Sequence, residues 1–164
     1  MMSGQLLPKN NRVRHLDVSN NYIQEFPDKL VSRLSQLEKL IFQRNSLQSL
    51  SKESFRGLSN LEVIDFHDNR IRDIEEDAFE DLTSLKGLDL SLNIISTVGD
   101  TLEPLTSLMK LNLSDNYLVI KILKSLKEYE VLLAHSQYEN HLWVTNICLR
   151  PDLPFSNIFV YGLL

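Results

Sequence analysis

The sequence predicts an α/β solenoid, a stack of short strands that each lead into a return segment of turns or short helix. Three observations carry this prediction. The pattern L-x-x-L-x-L-x-x-N-x-L, with other apolar residues standing in for some leucines, occurs five times. Its starts, at residues 13, 37, 61, 85 and 108, are separated by 24, 24, 24 and 23 residues. The middle of each unit alternates apolar and polar with the period of a strand. No single unit can bury its own apolar face, so the units must stack.

The elements follow in order. Residues 1–12 show no period, and Leu6, Leu7 and Pro8 are expected to form a short cover over the first unit. Unit one contributes Val13, Leu16, Val18, Asn21 and Ile23. Unit two contributes Leu37, Leu40, Phe42, Asn45 and Leu47. Unit three, LEVIDFHDNRI, contributes Leu61, Ile64, Phe66, Asn69 and Ile71. Unit four contributes Leu85, Leu88, Leu90, Asn93 and Ile95, and unit five Leu108, Leu111, Leu113, Asn116 and Leu118. An asparagine amide both donates and accepts, so Asn21, Asn45, Asn69, Asn93 and Asn116 are expected to form a ladder satisfying backbone groups where the chain leaves each strand. The return segments should turn Phe26 and Leu30, Leu50 and Phe55, Ile74 and Phe79, and Val98 and Leu102 inward, with Leu34, Leu58, Leu82 and Leu105 before each next strand.

Beyond Leu118 the period stops. Residues 119–135 place Ile122, Leu123, Leu126, Tyr129 and Leu133 at helical spacing, predicting an amphipathic helix that caps the open end of the stack. Residues 136–164 are a non-repeat tail with two apolar, strand-prone runs, HLWVTNICL and FSNIFVYGLL. The tail is either part of the cap or a terminus unrelated to it.

Composition bounds the function. A net charge of −5 disfavours nucleic acid and anionic membranes as partners. No apolar run reaches the roughly 18–20 residues needed to cross a bilayer. The opening residues lack the apolar core of a signal peptide. The one cysteine, Cys148, cannot form an internal disulfide. A complete chain of this kind is expected in the cytoplasm, whereas a piece of a longer receptor would be extracellular or membrane-associated.

Residues 13–118 resemble the leucine-rich repeat family. The 24-residue spacing and the phrases SFRGLSNLEVIDFHDNRI and DAFEDLTSLKGLDLSLNII are similar to its typical subclass, common in Toll-type receptors, Slit-like guidance proteins and neuronal adhesion receptors. The resemblance implies a curved solenoid with a parallel sheet on its concave face, short helices or turns on its convex face, and a protein ligand. Extracellular members usually carry cysteine-rich caps and a signal peptide, and this sequence shows neither.

The residues between the repeated leucines point to solvent and are expected to vary without breaking the fold. On the concave face they gather Glu62, Asp65, Asp68 and Asp89 around His67, with Arg44 one strand away. This constellation suits a basic protein partner, with Ile41, Val63 and Leu92 adding apolar character. A metal site at Asp65, His67 and Asp89 is a remote alternative, since mixed ligands without a second His or a Cys are a weak set. No phosphate-binding glycine loop or nucleophile elbow is present, and Cys148 has no recognisable catalytic pairing, so no enzyme and no cofactor are expected. Asn112-Leu113-Ser114 is a glycosylation sequon on the concave face. Two functions remain open: a recognition module of receptor or adhesion type, and an intracellular scaffold, adaptor or regulatory subunit.

Overall fold

The computed structural model describes residues 12–117 and two further short strands, Ile147–Cys148 and Phe159–Val160. Most of the N-terminal cover, Leu118, the cap helix over 119–135 and the rest of the tail lie outside the described residues.

Each repeat places one three-residue strand in a common sheet: β1 (His15–Asp17), β2 (Lys39–Ile41), β4 (Val63–Asp65), β6 (Gly87–Asp89) and β7 (Lys110–Asn112). Two short strands, β3 (Ser49–Leu50) and β5 (Asp73–Ile74), pair in a second sheet on the return path. The five main strands are parallel and in the register set by the repeat, with His15 beside Lys39, then Val63, Gly87 and Lys110. The sheet continues antiparallel through β8 (Ile147–Cys148) and β9 (Phe159–Val160), with Leu111 opposite Ile147.

Burial follows the pattern. Leu37, Leu40, Leu47, Leu61, Phe66, Ile71, Leu85, Leu90 and Ile95 are wholly buried. The first repeat is the end of the described stack, so Val13, Leu16, Val18 and Ile23 are only partly covered. Aromatic rings tie the first three repeats together: Phe26 lies 5.2 Å from Phe55 and 5.6 Å from Phe42, and Phe55 lies 5.7 Å from Phe79. Such offset and edge contacts add to the area they bury.

The asparagines bind each repeat to the one before it. Asn69 Oδ1 accepts from the Leu47 N–H at 3.1 Å, and its Nδ2 donates to the Phe42 and Phe66 carbonyls. Asn45, Asn93 and Asn116 repeat the same geometry on Ile23, Ile71 and Ile95. Asn21 has no described rung before it and donates only within its own turn, to Val18 and Ser19.

The convex side is built of turns closed by i→i−3 hydrogen bonds, as in Leu58 to Phe55, Leu82 to Phe79 and Leu105 to Leu102. The one helix among the described residues is α1 (Asp28–Val31). It corrects one expectation. Leu30 is 44% exposed, and Val31 takes the inward place instead. Pro27 starts the helix at a point where one residue further along the turn faces the core.

Candidate functional site

Because Leu16, Leu40, Ile64, Leu88 and Leu111 face the core, strand alternation turns the residues on either side of them outward onto the concave face. Two rows result. One is His15, Lys39, Val63, Gly87, Lys110, and the other Asp17, Ile41, Asp65, Asp89, Asn112. Over β2, β4, β6 and β7 they line an open groove of about 450 Å³.

Five of the six predicted site residues fall into three groups about the groove, and the sixth, His67, bonds to Ser91. Asp65 and Asp89 line it and stand abreast on β4 and β6. Glu62 is already paired with Lys86 across adjacent repeats, at 2.7 Å, just as Glu38 is paired with Arg14. Arg44 and Asp68 sit at the corner beyond the strand, both with positive φ, and their charged ends are 4.0 Å apart. Among the described residues no cation pairs with Asp65 or Asp89.

The strand row of acids also has a structural task, which corrects the expectation that these positions vary without consequence. Asp65 Oδ1 accepts from the His67 N–H at 2.9 Å, Asp89 Oδ1 from the Ser91 N–H at 2.9 Å, and Asn112 Oδ1 from the Ser114 N–H at 3.1 Å. Asp17 does the same with Ser19. Each closes an Asx turn that bends the chain off the sheet. Ile41 breaks the row, having no such acceptor. The Ser19 hydroxyl and N–H both donate to Asp17 and hold its carboxyl below the ordinary value of 3.8.

A polar chain runs across the repeats of β4, β6 and β7. Ser91 Oγ donates to Asp89 Oδ1, so it must accept from His67 Nδ1, 2.8 Å away, which places the proton on Nδ1. Asn112 Nδ2 donates to Asp89 Oδ2 at 3.0 Å. Serine here lies between histidine and aspartate, and Ser91 is buried. A nucleophilic triad needs the base between the acid and an accessible hydroxyl. Among the described residues no three His, Cys, Asp or Glu are placed to hold a metal ion. The sequon asparagine, Asn112, has its amide occupied on both sides.

Gly87 is the feature that sequence reasoning passed over. It leaves a notch in the outer row between Val63 and Lys110. A Cβ there would meet only the Val63 Cγ2 methyl, at 4.0 Å, so neither sterics nor φ requires glycine. A glycine inside a strand often marks where a ligand or a second backbone comes close. The signal was available in the sequence, since the repeat places Gly87 in a row whose other members have side chains.

The leucine rich repeat family profile matches residues 11–71 and 59–118. The chain belongs to the leucine-rich repeat family. Among solved structures it is similar to Toll from Drosophila, in its complex with Spatzle, with 28% identity and a TM-score of 0.61 over 64% of this chain. It is also similar to TLR13 in the TLR13–ssRNA13 complex, with 36% identity and a TM-score of 0.63 over 68% of this chain. The match spans 16% of the length of each of those chains. No curated protein matches it. The repeats and the solenoid are those of this family. Among the described residues no helix is long and apolar enough to cross a membrane.

Proposed function

We propose that this leucine-rich repeat array is a recognition module of receptor or adhesion type that binds a protein partner in its concave groove without catalysing a reaction. The observation that carries the reading is the pair Asp65 and Asp89, abreast and without a cation among the described residues, beside the Gly87 notch and the apolar Ile41 and Val63. A partner arginine or lysine would lay its aliphatic stem over Val63 and Gly87 and bring its charge to the two carboxylates. Support of a coarser kind comes from Toll, whose solved complex contains Spatzle.

A second reading is RNA. The TLR13 structure is a complex with single-stranded RNA, and Lys39 and Lys110 line the same groove. The net charge of −5 and the two carboxylates at the centre of the groove oppose phosphate. These features favour protein.

The test is affinity capture with the whole chain as bait, wild type against Asp65→Asn combined with Asp89→Asn, alongside titration with single-stranded RNA. Asn112 holds the same turn with an amide, so the double variant keeps its fold. Loss of a captured protein by a double variant that still unfolds cooperatively supports the proposal, since Asp89→Asn also removes the acceptor of the Asn112 amide and moves the melting temperature by itself. Equal capture by the variant, or salt-sensitive RNA binding that the variant strengthens, overturns it. The compartment, cell surface or cytoplasm, is answered by locating the full-length product.

A further inference from the structure

A different face of the solenoid is also without an account. Among the most exposed large apolar side chains are Tyr22 at 92%, Tyr117 at 59%, Leu92 at 45% and Ile94 at 41%. None of these lines the groove. They fall at two register positions where the chain leaves the strand. One position holds Asn20, Arg44, Asp68, Leu92 and Asp115, and the other Tyr22, Ser46, Arg70, Ile94 and Tyr117.

Backbone hydrogen bonds show which of these are neighbours. The Ile94 N–H donates to the Ile71 carbonyl at 3.0 Å, which sets Ile94 alongside the segment carrying Arg70 and Arg72. The Tyr117 N–H donates to the Ile95 carbonyl at 2.9 Å, placing Tyr117 on the next rung. The Leu92 carbonyl accepts from the Asn69 N–H. The alternating Ile71 and Ile95 are buried, so their flanking residues face outward. Repeats four and five thus present Leu92, Ile94 and Tyr117 as one apolar strip, bordered by Arg70 and Arg72 of repeat three. Neither arginine has an ion-pair partner among the described residues, while the nearby Asp68 is turned to Arg44.

The fold gives no reason for Leu92. Its φ is +52°, a conformation that disfavours side chains other than those of Asn and Asp. The other four repeats put Asn20, Arg44, Asp68 and Asp115 there. Leucine at this corner accepts the backbone strain without being buried.

We propose that this flank is a second binding surface, fitted to a protein segment in which carboxylates alternate with apolar side chains. Carboxylates would pair with the Arg70 and Arg72 guanidiniums in bidentate geometry, and apolar side chains would cover Leu92, Ile94 and Tyr117. Charge complementarity selects this occupant. A basic segment would meet two unpaired arginines. Nucleic acid would find a single ring for stacking, Tyr117, among aliphatic side chains that offer none.

The experiment uses the full chain against a displayed library of short peptides with fixed Asp or Glu and random apolar positions. A matched library with Lys or Arg in the fixed positions, and single-stranded RNA, are run beside it. The acidic library should yield binders whose affinity falls by about tenfold or more with Arg70→Glu plus Arg72→Glu, and again with Leu92→Asn plus Ile94→Ser. Asp65→Asn plus Asp89→Asn should leave those binders unaffected, which separates this face from the groove. Arg70, Arg72, Leu92 and Ile94 are exposed and Asp65 and Asp89 half-buried, and thermal melts check that each variant is folded. The proposal is overturned if no acidic-apolar binder depends on these four residues, if the basic library or RNA binds them more tightly, or if the Leu92 and Ile94 changes abolish only self-association seen by sedimentation.

Discussion

Asn112 donates its side-chain amide to Asp89 Oδ2 across adjacent strands, at 3.0 Å, while its own Oδ1 closes the turn at Ser114. The same row places Asp65 beside Asp89, where two like charges face each other. The amide at position 112 is what prevents a third carboxylate from extending that repulsion. Asn112→Asp should keep the turn, lose the cross-strand bond and add a like-charge neighbour. The expected loss is about 1–2 kcal/mol from these two terms. Thermal melts at low and high salt check it, because the electrostatic part must shrink as salt rises. A loss independent of salt would mean that only the hydrogen bond matters.

The asparagine ladder predicts a graded cost. Asn69 is buried, with two hydrogen bonds to the preceding repeat, at Leu47 and Phe42, and one to Phe66 in its own, so Asn69→Ala strands backbone groups of both repeats. It should lower stability by about 1–3 kcal/mol. Asn21 is exposed and bonded only within its own turn, so Asn21→Ala should cost clearly less. Chemical denaturation of both variants decides the matter, and equal losses would refute the inter-repeat role.

Gly87 gives opposite predictions for folding and for binding. Ala at this position meets one methyl at ordinary contact distance, and the strand needs no positive φ. Gly87→Ala should therefore leave stability unchanged or raise it by about 0.5–1 kcal/mol. Gly87→Leu should also fold, because its side chain points out of the sheet, yet it fills the notch beside Asp65 and Asp89. Partner capture lost by the leucine variant and kept by the alanine variant is the expected result. Capture by both would remove the notch from the site.

Much of this fold was legible in the sequence because the repeat constrains it at every level. The period alone aligned His15, Lys39, Val63, Gly87 and Lys110, and the structure pairs them in that register. What the pattern could not convey was the behaviour of residues outside the consensus. Leu30 and Val31 are adjacent apolar residues, and only the start of α1 at Asp28 determines which faces inward. Asp65 and Asp89 read as free surface charge because an Asx turn depends on how the backbone leaves the strand. Glu62 read as part of an acidic cluster, although Lys86 stood in the same column one repeat later, and the structure joins them. Leu92 read as apolar character on the concave site, yet it does not line the groove, and its strip with Ile94 and Tyr117 went unseen because all three fall at positions the consensus leaves open.

Asp17 supplies a test in pH. Its carboxyl is held below the ordinary value first by the Ser19 hydroxyl and then by the Ser19 N–H. A depressed folded-state value means that the carboxylate favours folding above the unfolded value of 3.8, and that this contribution fades as pH falls through the lower folded value. Ser19→Ala removes the larger of the two donors. Nuclear magnetic resonance titration should then show the Asp17 carboxyl titrating at higher pH than in the wild type. No movement would assign the shift to the backbone donor alone.

Leu92 separates stability from recognition most directly. Four repeats place Asn20, Arg44, Asp68 and Asp115 at its corner with positive φ, and only repeat four places an exposed, branched apolar residue there. Asn enters this conformation at lower cost, through a short polar side chain that bonds locally. Leu92→Asn should therefore raise stability by up to about 1 kcal/mol, within the range of the left-handed penalty. The measurement is a denaturation midpoint at constant slope. A gain in stability alongside weaker binding of acidic-apolar peptides would mean that leucine is kept for contact with a partner. A loss in stability would mean that the Leu92 side chain supports the corner, and the case for a binding role at that residue would end there.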